Sequence, residues 1–304
     1  MPSDAVFPTG QTLPMPNGLA EMYAPVMCLH PREIYRPKPA DVMLDNAVLK
    51  RPGLNGKGHG SVVIERPTVA DLAHSTDSTL YLTYRPGVSF AGLQDGYPNV
   101  VYARWVADEE VLFLQFHFFY VYNDWVNQHE GDWEMVQIAF PARQLKAVLA
   151  GQVEPLFVTY SQHARGVSRS WSEVEVRDET HPVVYVSLGS HANYYRPKIY
   201  YIIVGFERTG RSETCYQVET IMPGDASGRL GWLAFTGRWG KVGASRSLFS
   251  DGPVGPGHKL PWRRPLLWSK GRIADDGQSV SWVWALLDPR GLLGRDSLFR
   301  QKQG

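Results

Sequence analysis

Short runs rich in Val, Ile, Tyr, Phe and Trp recur along the chain, at 79–84, 100–106, 111–122, 133–140, 155–161, 183–188, 199–206, 215–221, 230–235 and 280–286. Their lengths and composition predict strands. Turn residues separate most of them, not helices of ten or more residues, which predicts an all-β chain with a largely antiparallel β-sandwich and few short helices. The stretch PARQLKAVLAG is the one helical pattern, with Pro141 in a first turn, Leu145, Val148 and Leu149 on one face, and Gly151 as its stop.

Domain organisation follows from where the pattern fails. Residues 1–20 carry four prolines and no periodicity, so they read as an extended arm laid on the body or left mobile, with order beginning near Met22. Residues 21–290 read as a single sandwich domain and 291–304 as a polar tail that frays. The stretches PGLNGKGHG (52–60) and DGPVGPG (251–257) read as loops, and the first lacks the spacing of a phosphate-binding loop.

The polar residues that interrupt this pattern carry the candidate chemistry. In a strand through 132–140, Asp132, Glu134, Val136, Ile138 and Phe140 share one face, and Trp133, Met135, Gln137 and Ala139 the other. Two carboxylates therefore continue an apolar row, and such a row needs a counter-charge. That charge is either a structural partner, Arg104 or Arg165, or a cation. Asp124 and His129 lie just upstream, with Asn123 and Asn127 as further oxygen donors, and this mixture resembles a hard-cation site with open water positions more than a closed zinc site. Ca²⁺ or Mg²⁺ is expected at Asp124, His129, Asp132 and Glu134, with Zn²⁺ or Mn²⁺ as the alternatives.

Two other strand ends carry histidine, at YSQH (160–163) and GSHAN (189–193), so His163, His191 and Asn193 are candidates to line the same cavity. There they would hydrogen-bond a ligand's hydroxyls or phosphate, or His163 and His191 would act as general acid and base beside a metal-bound water. His117, within an aromatic strand, reads as core. HEGDW is not HExxH, and neither a GxSxG elbow nor a GxGxxG turn occurs.

Bulk composition narrows the partners. Lys plus Arg number 31 against 30 Asp plus Glu, so no global field draws the chain to nucleic acid. The start of the chain lacks a signal-peptide pattern and no apolar run approaches a membrane span, so a soluble, cytoplasmic protein is expected. Cys28 and Cys215 are expected to be free thiols.

The run HEGDWE, with YSQH, HPVVYVSLGSHANY (181–194), FTGRWG (235–240) and GPVGP (252–256), resembles the family named after vacuolar protein sorting-associated protein 62. That resemblance runs from YAPVMCLHPREIY (23–35) to about Trp262. The order Asp124, His129, Asp132-Trp133-Glu134 is more distantly similar to the necrosis- and ethylene-inducing peptide-like proteins. That similarity implies a β-sandwich holding a divalent cation at those four positions in a surface cavity that binds sphingolipid sugar headgroups, with His163 and His191 as cavity residues. The chain departs from that pattern in having glycine before Asp132 and a short gap between Asp124 and His129, and cytolytic activity is not carried over. The expected function is divalent-cation-dependent binding of a glycan or lipid headgroup, with possible peripheral membrane contact. The alternative is a metal-dependent hydrolase of a phosphodiester or glycolipid.

Overall fold

The computed structural model describes residues 9–53, 60–163, 165–202, 205–242 and 251–270. The expected strand at 280–286, the tail at 291–304 and the middle of the 52–60 loop lie outside them. The fold is β-rich with short helices, as the pattern predicts.

A seven-stranded sheet forms the frame. Val100–Asp108, Val111–Asn123, His129–Pro141, Phe157–Gln162 and Arg165–Ser170 run antiparallel in chain order, and Gln11–Leu13 and Gln217–Ile221 share the outer edge of the first. A five-stranded sheet contains Val26–Leu29, Val176–Arg177, His181–Val186, Asn193–Tyr194 and Ser212–Thr214. A four-stranded sheet contains Ala47–Arg51, Ser61–Ile64, Tyr81–Tyr84 and Arg238–Trp239. Among the described residues Ile199–Ile202 and Gly205–Arg208 pair with each other as a hairpin, tied to the turn after His181–Val186 by Leu188 N, which donates to the Arg208 carbonyl at 2.8 Å. Three pairings are parallel, each between segments far apart in sequence.

The register of the two long central strands fixes everything that follows. Phe118 lies opposite Glu134 and Tyr120 opposite Asp132, so Leu112, Leu114, Phe116, Phe118 and Tyr120 share a face with Asp132, Glu134, Val136, Ile138 and Phe140. That face joins the main core with residues of the two smaller sheets, and each fully buried Leu or Phe there contributes about 1.5–3 kcal/mol. The carboxylates at 132 and 134 end this apolar row, as the alternation predicts.

The opposite face of the same strands is polar at its middle. Arg104 donates to Thr12, Gln115 and the carbonyls of Gly10 and Trp262, Gln115 donates to Gln137 at 2.8 Å, and Gln137 donates to Ser269 at 2.6 Å. This seam fastens the segments near both ends of the chain onto the sheet. It also places Arg104 on the far side of the sheet from Asp132 and Glu134, so Arg104 is not their counter-charge.

His117 lies on this polar face and is core, as expected. Burial, reinforced by the Arg104 and Lys259 cations, pushes its imidazole down to about 3, so it is neutral in the folded state. The unfolded chain binds this proton near pH 6.5 and the folded chain does not. Stability from this group is therefore complete above about pH 6.5 and is lost as pH falls toward the folded value. In urea unfolding at stepped pH, His117→Leu is expected to flatten the acid limb of the stability profile relative to wild type.

Several local expectations are corrected. The run at 230–235 forms a 3₁₀ turn, Gly231–Ala234, not a strand. Leu230, Trp232, Leu233 and Phe235 are all buried there, and an unbroken apolar run carries no period to separate the two. Order begins before Met22, because Gln11–Leu13 adds to the main sheet. The run at 199–206 breaks into the two strands of a hairpin. In the PARQLKAVLAG connector, Pro141 ends a strand, Ala142–Gln144 is 3₁₀ and only Leu145–Leu149 is α-helical. Val148 is buried there, whereas Leu149 is exposed. Cys28 and Cys215 are free, as expected.

Candidate functional site

The core-facing end of His129–Pro141 meets the turn that follows His181–Val186, and this junction gathers the polar residues. The turn is closed by bonds from Ser187 N to the Ala192 carbonyl (2.9 Å) and from His191 N to the Ser187 carbonyl (3.1 Å). Gly189 has φ +77° and packs so closely on Asp124 that a Cβ would stand 2.6 Å from its carbonyl oxygen. The close approach lets the Gly189 carbonyl accept from Asp124 N at 3.0 Å. His191 itself holds φ +54°, a conformation that costs a non-glycine residue about 1–3 kcal/mol and is kept only where the surroundings over-determine it.

Those surroundings are two carboxylates and a ring. His191 Nδ1 donates to Asp132 Oδ2 at 2.9 Å, its Nε2 lies 3.8 Å from Glu33 Oε1, and its ring stacks on Tyr120 with centroids 3.8 Å apart. Glu33 is fixed in turn by the backbone N–H groups of Gly189 (2.7 Å) and Tyr35 (2.9 Å). Burial works against the imidazolium, but Glu33 and Asp132 outweigh it and raise His191 to about 9. Burial likewise opposes the charge on Asp132 and Glu33, and His191 is what brings both below the usual carboxylate range.

Glu134 is different. Its carboxylate accepts from Ser161 Oγ, which also accepts from Met135 N and Asn193 Nδ2, each at 3.0 Å. Burial and the neighbouring Asp132 charge raise its pKa well above the ordinary value, which favours its neutral form. Asn193 Oδ1 is buried with no hydrogen-bond partner among the described residues.

A second histidine–carboxylate pair lies beside this cluster. His163, with φ +57° and a side chain 21% exposed, meets Glu207 Oε1 through Nε2 at 3.0 Å. Glu207 also accepts from Ser190 Oγ at 2.5 Å and from the Tyr194 hydroxyl. Burial opposes charge on both members, yet each stabilises the other, raising His163 and lowering Glu207. Trp125 flanks His163, with ring centroids 5.4 Å apart.

Thus Asp132, Glu134, His163, His191 and Asn193, read from the sequence, come together in one cluster. His129 lies close enough to lower the Asp132 pKa, but its Nδ1 bonds to the Gly131 carbonyl at 2.8 Å. Asp124 is exposed and accepts from Gln128 at 2.6 Å. Its neighbour Asn123 is the residue that reaches Asp132, at 3.3 Å. Among the described residues, no three His, Cys, Asp or Glu side chains already converge as a metal-ligand set.

Sequence reasoning missed Glu33, Tyr120 and Glu207. Glu33 arrives from about a hundred residues upstream, and nothing near it in sequence marks it. Glu207 carried one usable signal, as a lone acid following Phe206 in a run otherwise rich in Tyr and Ile.

No family model and no curated protein matches this chain. Among solved structures, it is similar to NLPPya in complex with glucosamine, with 11% identity over 88% of this chain and 98% of that one and a TM-score of 0.42. A structure described as a toxin fold for microbial attack and plant defense gives 11% identity, 85% and 99% coverage and a TM-score of 0.41. Necrosis and Ethylene inducing Protein 2, from the causal agent of cocoa's Witches Broom disease, gives 11%, 71% and 80%, and 0.34.

Proposed function

We propose that this cluster is a cation-assisted binding site for a polyhydroxylated ligand, the sugar headgroup of a glycan or glycolipid. The observation that carries the reading is a crowding of buried acids. Four buried carboxylates, Glu33, Asp132, Glu134 and Glu207, crowd this cluster, and burial together with the Asp132 charge raises the Glu134 pKa well above its ordinary value. Buried carboxylates crowded in this way fit a hard divalent cation, and so does the unmet carbonyl oxygen of Asn193.

Asp132, Glu134 and Asn193 would hold such an ion, Ca²⁺ or Mg²⁺ by donor type, with the ion displacing the Glu134 proton. When bound it would supply open coordination positions for vicinal hydroxyls. His163, beside the cluster and backed by Glu207, donates to a ligand oxygen, and Trp125 next to it offers an aromatic wall. Carboxylates raise the pKa of both histidines, which suits hydrogen-bond donation better than the proton abstraction a hydrolase would need.

Calorimetric titration with free hexoses and hexosamines tests the reading. Wild type in Ca²⁺ or Mg²⁺ is expected to bind at least one of them, and chelation or His163→Ala is expected to weaken that affinity about tenfold or more, the loss of roughly one charge-assisted hydrogen bond. Absence of binding across the panel with either ion, or binding indifferent to both changes, overturns it.

A further inference from the structure

The strand His129–Pro141 is paired from end to end with Val111–Asn123, but with Phe157–Gln162 only from Val136 to Ala139. Toward Gly131 its second edge therefore has no neighbouring strand among the described residues. Trp133 and Met135 turn their backbone N–H and C=O groups to that edge, in step with Ala139, whose carbonyl accepts from Leu156 N at 2.7 Å on the same side. Backbone groups left unpaired away from water need other partners.

Side chains take the place of the missing strand. Met135 N donates to Ser161 Oγ at 3.0 Å, the Met135 carbonyl accepts from Asn193 Nδ2 at 3.4 Å, and the Trp133 carbonyl accepts from Lys259 Nζ at 2.6 Å. Ser161 also bonds to Glu134, and Asn193 is itself one of the three proposed cation ligands. Lys259 bonds to none of the three among the described residues. It belongs to the segment that crosses the polar face of the sheet, and its backbone is pinned on both sides. Before it, Gly257 packs so closely that a Cβ would stand 2.3 Å from the Leu233 carbonyl oxygen. After it, the Pro261 carbonyl accepts from Gln115 at 2.8 Å and the Trp262 carbonyl from Arg104 at 2.9 Å. The ammonium is thus delivered to a fixed point.

We infer that Lys259 is a positioning residue for the proposed cation site, holding the peptide group between Trp133 and Glu134 so that the Asp132 and Glu134 carboxylates keep a single offset; the inference rests on the cation-binding reading. The Trp133 carbonyl is part of that planar group, and its rotation would turn one acid relative to the other. On a fully paired strand a ladder bond restrains such a rotation from this side, and here the ammonium does. Groups behind the ligands fix ligand orientation in metal sites, and loss of one costs about ten- to a hundredfold in affinity. The charge of Lys259 acts in the opposite direction, because it reaches both Asp132 and Glu134 and repels a cation bound between them. The two roles therefore differ in sign: removing a mere charge tightens cation binding, and removing a positioning contact weakens it.

Calorimetric titration of the full chain with Ca²⁺ and Mg²⁺, together with amide hydrogen exchange of the cation-free protein, tests it. Lys259→Met is expected to weaken cation affinity about tenfold, and Lys259→Arg, which keeps a cationic donor, to stay within about threefold of wild type. In cation-free Lys259→Met the Glu134 amide is expected to exchange about tenfold faster, while the Val158 amide, in the fully paired part of the sheet, is unchanged. Lys259→Gln, whose shorter side chain stops short of the Trp133 carbonyl, is expected to repeat both effects and replaces Lys259→Met if that variant does not fold. Affinity that is unchanged or tighter in Lys259→Met overturns the inference, as does a loss that Lys259→Arg shares or exchange at Glu134 that the substitution leaves alone. Wild type that binds neither ion removes the cation-binding reading itself, and this role with it, whatever the exchange shows.

Discussion

Asp132→Ala is expected to destabilise the protein by about 3–5 kcal/mol in urea unfolding, because it leaves a buried imidazolium short of its closest counter-charge. His191 has no solvent exposure, and Asp132 is the carboxylate it touches, at 2.9 Å; Glu33 stands farther away at 3.8 Å. Asn123 loses its acceptor in the same step. The cost should fall when His191 is removed too: Asp132→Ala with His191→Leu is expected to be less destabilised than the sum of the two single changes, since the uncompensated charge is then gone. Glu134→Gln, two residues along the same face, is expected to leave stability close to wild type, because burial and the Asp132 charge already disfavour the charged form of the carboxyl it replaces. A measured order in which Glu134→Gln costs more than Asp132→Ala would contradict the charge assignment.

Gly131→Ala is expected to cost about as much, by a mechanism independent of charge. Gly131 holds φ +63°, and a Cβ there would stand 2.2 Å from the carbonyl oxygen of Trp239. Left-handed backbone costs an alanine about 1–3 kcal/mol, and forcing the neighbouring strand aside adds about 1–3 kcal/mol more. Gly87, with φ +85° and nothing within 4 Å of a Cβ, separates the two contributions. Gly87→Ala is expected to show only the conformational share, of the order of 1 kcal/mol. Thermal unfolding of both variants checks this, and equal shifts would mean that the contact with Trp239 is immaterial. The glycine of HEGDWE is thus required by packing, at the point where the strand bearing both acids passes under Trp239.

Which faces the long strands bury was legible in the sequence, because alternation through 132–140 has only one solution on a half-buried strand. That was enough to set Asp132 and Glu134 in the apolar row and Trp133, Met135 and Gln137 behind it. The meeting of the GSHAN turn with this row was legible only as an expectation, since it depends on a contact between segments some sixty residues apart. The source of the balancing charge was not legible. Arg104 looked available, yet it sits on the other side of the sheet, held by Thr12, Gln115 and Trp262, and the compensation comes from His191, whose charge Asp132 shares with Glu33. Nor could the sequence choose between neighbours at the end of Val111–Asn123. Asp124 is the stronger ligand by type, but the strand ends so that Asn123 turns inward to Asp132 and Asp124 turns out to Gln128. The 230–235 run failed for the opposite reason, since burial on every side erases the pattern by which strand and helix are distinguished.

The central claim is that a hard divalent cation binds among these crowded buried carboxylates, at Asp132, Glu134 and Asn193. It is tested most directly by calorimetric titration of Ca²⁺ and Mg²⁺ at neutral pH in two buffers of different ionisation enthalpy, with wild type and Glu134→Gln. The account predicts saturable binding with release of about one proton per ion, a release that disappears in Glu134→Gln. Heats that are absent in wild type for both ions, with a melting temperature unmoved by either, would contradict it.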